Sequence, residues 1–153
     1  VNVPAAQVTS VDISPTALEV ARRNARRHKV ESRVELVLGD LFAGLPPGRT
    51  FDWVVSNPPY IPQAELATLA ADVRLHEPNL ALDGGPDGLV VIRRLLSEAP
   101  AWLNPGGQLL CEFSPEQAPA MLALVEGNPA WTNGRILKDL AGRARVLAVT
   151  RAN

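Results

Sequence analysis

Phe51-Asp52-Trp53-Val54-Val55-Ser56 runs straight into Asn57-Pro58-Pro59-Tyr60. The first six residues are nearly all apolar, as expected of a strand covered on both faces of a parallel sheet. The next four cannot prolong it. Two consecutive prolines donate no backbone hydrogen bonds and hold the chain in an extended shape. The stretch therefore reads as a buried strand that stops at a stiff turn, with the polar side chain of Asn57 at its carboxyl end.

Working outward towards the amino terminus, Val34 to Leu38 is a second strand closed by Gly39-Asp40, and Pro46-Pro47-Gly48 is a turn. Val8 to Ile13 is a β-branched strand that carries Asp12 at its end. Ser14 and Pro15 then start a helix, Ser14 as cap and Pro15 in the first helical position. Leu18, Ala21 and Ala25 recur at helical spacing to about Lys29, with Arg22, Arg23, Arg26 and Arg27 on a solvated outer face. Towards the carboxyl terminus, residues 61–86 form a long irregular stretch with some helix around Ala64 to Ala71. A loop of that length inside a compact domain is usually functional. Leu89 to Trp102 reads as a helix broken by Asn104-Pro105-Gly106-Gly107. Gln108 to Glu112 reads as a strand and Glu116 to Val125 as a helix. Thr132 to Lys138 and Arg145 to Thr150 read as two closing strands joined through Ala141-Gly142.

Strands that alternate with helices imply an α/β fold, a mostly parallel Rossmann-like sheet with helices on both faces. The two closing strands imply one antiparallel element at an edge. In such sheets ligands bind at the carboxyl ends of the strands. Asp12, Asp40 and Asn57 each follow an apolar strand, so three strands are expected to deliver a polar side chain to one rim.

At 153 residues the chain has the length of one domain, and 46% hydrophobic with 20% charged residues is ordinary for a globular protein. A formal net charge of -1 gives no global attraction to a polyanion, which disfavours nucleic acid as partner. The single cysteine, Cys111, lies in an apolar run; it forms no internal disulfide or metal cluster and reads as a buried thiol. No metal site is expected. No apolar stretch approaches the ~20 residues of a membrane span, and the first residues carry no signal-peptide pattern, so a cytoplasmic location is expected.

Three positions invite chemistry. Asp12 can accept hydrogen bonds from ribose hydroxyls, or merely flank the following helix. Asp40 can accept from an adenine exocyclic amine with Leu41 and Phe42 against the ring, or cap a turn with Phe42 in the core. In Asn57-Pro58-Pro59-Tyr60, the Asn57 side-chain carbonyl and the Pro58 backbone carbonyl form a pair of acceptors on a stiff scaffold. A planar –NH2 group offers two donors to match them. Held so, its lone pair can be directed at a methyl donor. An amide nitrogen is a poor nucleophile, so positioning and acceptor electrostatics are the chief help a protein can give. Tyr60 can pack on the planar group. Glu77 and Asp83 read equally well as walls of a substrate mouth or as loop caps. Gly84, Gly85 and Gly88 lack the Lys-Ser/Thr of a phosphate loop and read as a tight turn. His28 reads as solvated and His76 as structural.

Asn57-Pro58-Pro59-Tyr60 after such a strand resembles the nitrogen-directed methyltransferases. With Ile61-Pro62, His76-Glu77-Pro78 and Ala81-Leu82-Asp83-Gly84-Gly85-Pro86-Asp87-Gly88-Leu89, the chain is similar to the bacterial release-factor glutamine N5-methyltransferases. Val11-Asp12-Ile13-Ser14 and Asp139-Leu140-Ala141-Gly142-Arg143 extend the likeness over essentially the whole chain. The resemblance implies S-adenosylmethionine as cofactor, with Asp12 on its ribose and Asp40 and Leu41 bordering its adenine. Asn57 would touch both the cofactor and a glutamine amide, and Pro58, Pro59 and Tyr60 would complete the amide pocket. The implied partners are class 1 peptide-chain release factors, methylated on the glutamine of their Gly-Gly-Gln loop. A ribosomal-protein glutamine methyltransferase, an adenine-N6 nucleic-acid methyltransferase and a non-enzymatic binding module remain as alternatives.

The family pattern opens with a further strand and a glycine-rich loop, neither of which precedes Asp12 here. The chain is therefore expected to be a methyltransferase catalytic domain over residues 1–153 that is incomplete at its amino terminus. The strands ending in Asp12 and Ser56 are then expected to leave their inner edges unpaired.

Overall fold

Ser14 accepts a hydrogen bond from the Ala17 amide at 3.2 Å and Pro15 follows it. These two residues start helix α1, Pro15–Arg27, as the sequence predicts. The computed structural model describes residues 3–70, 72 and 78–153. Its strands are β1, Val8–Asp12; β2, Val34–Leu38; β3, Phe51–Ser56; β4, Leu103–Glu112; β5, Trp131–Lys138; and β6, Ala144–Arg151. Further α-helices among the described residues are α2, Asn79–Leu82; α3, Val90–Glu98; and α4, Ala118–Val125.

The chain divides into two compact units, Val1–Arg49 and Thr50–Asn153. In the first, β1 and β2 pair in parallel from Val8 opposite Val34 to Asp12 opposite Leu38. Helix α1 packs on this pair and buries Leu18 and Ala25. Phe42 and Leu45 are buried as well. The arginines of α1 are exposed, and so is His28.

In the second unit the strand order is β3-β4-β6-β5. β3 and β4 are parallel, with Trp53 opposite Gln108 and Ser56 opposite Cys111. β6 runs antiparallel to both β4 and β5. The antiparallel strand therefore lies inside the sheet, and β5 takes the edge where the sequence suggested an antiparallel edge. The reason is burial: Leu147, Ala148 and Val149 are successive and all buried, as a central strand with both faces covered requires. Helices α3 and α4 pack together, burying Ile92, Leu95, Leu96, Met121 and Val125, and α4 rests on β5 and β6. Trp131 is buried and its indole N–H donates to the Leu96 carbonyl at 3.2 Å, tying the edge strand to α3.

Asn104-Pro105-Gly106-Gly107 interrupts β4 from within. Phe51 faces Leu103, yet Trp53 faces Gln108, so the extra residues loop out of the ladder. The expected helix from Leu89 to Trp102 is α3 plus a 3-10 turn, Ala99–Trp102, because Pro100 cannot continue an α-helix. The helix expected around Ala64 to Ala71 appears as a 3-10 segment, Gln63–Thr68; Ala71, His76 and Glu77 lie outside the described residues. Among the described residues β1 and β3 each have a strand partner on one side only, as the sequence led us to expect. But β3 is not the strand covered on both faces that its apolar run suggested: Trp53 and Val55, on one face, are exposed.

Candidate active site

Asp12 ends β1, and its Oδ1 accepts the Ser14 amide at 2.8 Å. The side chain thus does what the helix-flanking reading required, and the same bond fixes its direction. The other carboxylate oxygen has no partner among the described residues. Gly39 follows β2 and is forced to be glycine: an added Cβ would lie 1.7 Å from the Ala43 carbonyl oxygen. The chain turns sharply there, with the Ala43 amide on the Asp40 carbonyl at 3.0 Å. Leu41 takes a left-handed φ of 53°, a strained conformation for a leucine. Phe42 turns inward and is 8% exposed, so it belongs to the core and not to a ligand wall. Asp40 and Leu41 are left half-buried at the carboxyl end of β2.

In the second unit, Asn57 follows β3 with its side chain exposed, while Pro58 is buried and Pro59 and Tyr60 are half-buried. Neither the Asn57 side chain nor the Pro58 carbonyl has a hydrogen-bond partner among the described residues. They are the two acceptors that the sequence singled out. The chain beyond them is tightly fixed. The Ile61 amide donates to the Leu82 carbonyl at 3.0 Å, the Gly84 amide to the Ile61 carbonyl at 2.9 Å, and the Gln63 amide to the Gly85 carbonyl at 3.0 Å. Asp83 secures this join: it accepts the Gly85 amide at 2.8 Å and the Gln63 side-chain amide at 3.1 Å. Of its two open readings, the loop cap is the one the structure carries. Gly84, Gly85 and Gly88 form the expected tight turn, which Asp87 continues by accepting the Leu89 amide at 3.1 Å.

The register that sets Ser56 opposite Cys111 places Asn57 beside Glu112 one step on. The Tyr60 phenol donates to Glu112 Oε1 at 3.3 Å. Burial first, then the Glu112 charge, raises the Tyr60 phenol above its ordinary value, and the Arg145 guanidinium opposes the rise. Glu112 is a rim residue that the sequence reading passed over, although it follows the apolar Leu109-Leu110-Cys111 just as Asn57 follows its own strand. Cys111 itself is fully buried, and burial pushes its thiol up to about 12. It is no nucleophile at neutral pH. Among the described residues no group of three His, Cys, Asp or Glu side chains could hold a metal ion. No helix among them is long and apolar enough to cross a membrane.

A parallel pair that leads into Asp12 and Asp40, and a sheet in which Asn57 follows β3, β4 runs parallel to β3 and the last strand runs antiparallel, are the parts of the class I S-adenosylmethionine-dependent methyltransferase fold. The chain belongs to the methyltransferase small domain family, whose sequence model matches residues 1–94. It is 46% identical over 151 residues to a release factor glutamine methyltransferase of Rhodopirellula baltica, covering 99% of this chain and 51% of that protein. It is 48% identical over 148 residues to the one of Moorella thermoacetica, covering 97% and 52%. The chain thus spans about half the length of the relatives it matches. Among crystal structures, a methyltransferase from Pyrococcus furiosus matches with a TM-score of 0.66 at 24% identity, over 96% of this chain and 64% of that one. A ribosomal protein L11 methylase from Lactobacillus delbrueckii matches with 0.62 at 21% identity, over 96% and 58%. Identities this low speak for the fold alone.

Proposed function

We propose that the chain carries out part of a protein-glutamine methyl transfer. The methyl group passes from S-adenosylmethionine to the side-chain amide nitrogen of the glutamine in the Gly-Gly-Gln loop of class 1 peptide-chain release factors, in the cytoplasm. The observation that carries this reading is the pair of unpartnered acceptors, Asn57 Oδ1 and the Pro58 carbonyl, on a scaffold pinned at Ile61 and Gln63. The names of relatives that are 43–49% identical to it over the aligned residues support the substrate.

The donor set fits the cofactor. Asp12 has a free carboxylate oxygen with its direction already set, suited to a ribose diol. Asp40 and the strained Leu41 end the neighbouring strand, suited to an adenine amine and ring face. The cofactor, when bound, supplies an electrophilic methyl on a sulfonium. This chain's residues do the rest by placement. Asn57 and the Pro58 carbonyl accept both amide N–H groups and so fix the nitrogen. Both acceptors favour positive character there, where it develops as the N–C bond forms and the S–C bond breaks. Tyr60, steadied by Glu112, lies along the planar amide. The amide turns acidic as it is alkylated, so its proton leaves without a strong base.

The test is transfer of labelled methyl by the whole protein to release factor, ribosomal protein or DNA. Label on the Gly-Gly-Gln glutamine, lowered about 10²–10³-fold in kcat by Asn57→Ala, is the expected result. Label on ribosomal protein or DNA alone overturns the substrate; label unaffected by Asn57→Ala overturns the site.

A further inference from the structure

We propose that Gln117 is a positioning residue for the amide pocket, an inference that rests on the function proposed above. Its single side-chain amide holds three separate stretches of chain. Oε1 accepts the Ser114 amide at 3.0 Å, just beyond β4. Nε2 donates to the Tyr60 carbonyl at 3.0 Å and to the Gly88 carbonyl at 3.3 Å. Every polar atom of the side chain is therefore in use.

The two carbonyls it bridges have reason to part without it. A Cβ added to Gly88 would stand 2.3 Å from the Tyr60 oxygen and 2.6 Å from Gln117 Nε2, so the two backbones are in close contact. Two carbonyl oxygens that converge on one point repel each other unless a donor sits between them, and the Gln117 –NH2 is that donor. Tyr60 follows Pro58 by two residues, and Pro59 has little torsional freedom. Displacing the Tyr60 carbonyl therefore swings the Pro58 carbonyl, one of the two acceptors for the amide. Glu112, the last residue of β4, already holds the phenol of Tyr60, so the end of β4 and the turn that follows it grip this residue at both its ring and its backbone.

The informative variant is Gln117→Glu. It keeps the volume and the Oε1 that caps Ser114, but replaces the bridging donor with a third oxygen. In the whole protein we expect kcat on release factor to fall more than about tenfold. The KM for the cofactor should stay within about twofold, since Asp12 and Asp40 are untouched. Amide hydrogen exchange at Ile61 and Gly84, the bonds nearest the clamp, should quicken in Gln117→Glu and in Gln117→Leu alike. Unchanged exchange and unchanged kcat in Gln117→Glu overturn the proposal. A matching loss of cofactor affinity also overturns it, because that marks general unfolding and not misplacement. Should the wild-type protein transfer no methyl to release factor, the function above fails, while the exchange measurement still decides the clamp.

Discussion

The free acceptors at Asn57 and Pro58 contrast with the fully engaged polar groups around them. Gln117 and Asp83 hold the frame with every polar atom of their side chains bonded; the Asn57 side chain is exposed and makes no bond within the described residues. A site that must bind a donor keeps its acceptors open, since a satisfied carbonyl gives little more to a ligand. Tyr60 stays neutral in this setting, because burial and Glu112 raise its phenol above 10. Methyl transfer should therefore show no inflection from Tyr60 between pH 7 and pH ~9.5. Tyr60→Phe should keep most of the rate and leave that profile unchanged, as a pH series of kcat will show. Cys111 offers a sharper pH test. Its thiol is pushed from 9.0 up to about 12 in the fold. Between those values the unfolded chain has lost a proton that the native chain retains, so stability falls as pH rises from about 9 towards 12 and is unaffected below about 8. The difference between the urea midpoints of wild type and Cys111→Ala should stay constant below about pH 8, where it reports only the lost packing, and change only above about pH 9. A thiol reagent at pH 8 should label Cys111 only after denaturation.

At the scale of elements, the turn after β2, where the proposed cofactor residues Asp40 and Leu41 lie, is tightly built. Gly39→Ala would drive a Cβ into the Ala43 carbonyl, and Leu41 already sits at positive φ. We expect a loss of about 1–3 kcal/mol by chemical denaturation, with weaker cofactor binding by calorimetric titration. The strands and α1 were legible because their signals are local: a β-branched run, a Ser-Pro start, an arginine face. The positions of Asp12, Asp40 and Asn57 at the ends of their strands were legible for the same reason, each directly after an apolar run. Glu112 obeyed that rule too and was missed only because the rule stopped at three strands. Gln117 was beyond it. Ser114-x-x-Gln117 reads as a capping pattern, and the capping bond is there. Its bonds to Tyr60 and Gly88, however, join residues 57 and 29 positions away. No periodicity reports contacts of that range. The place of β6 inside its sheet was hidden likewise, since strand order is set by which faces are covered and not by chain order.

The whole molecule presents an edge that its composition does not advertise. β3 pairs with β4 alone among the described residues. Val55 is 73% exposed and Trp53 54%, two residues apart and so on one face of the strand. An apolar edge strand with unpaired N–H and C=O groups is a template for another strand. Little in the strand protects it: the only charge in Phe51-Asp52-Trp53-Val54-Val55-Ser56 is Asp52, and these six residues include no proline. A preparation of the 153-residue chain should therefore self-associate as its concentration is raised. Val55→Lys places a charge on that exposed face without touching Leu109, Cys111 or the helices behind them. Sedimentation velocity should then move from a concentration-dependent mixture towards a single species of about the 16.4 kDa expected for the monomer. If Val55→Lys leaves the association unchanged while Leu38→Lys abolishes it, the sticky edge is that of the first unit, where Leu38 is 57% exposed, and not β3.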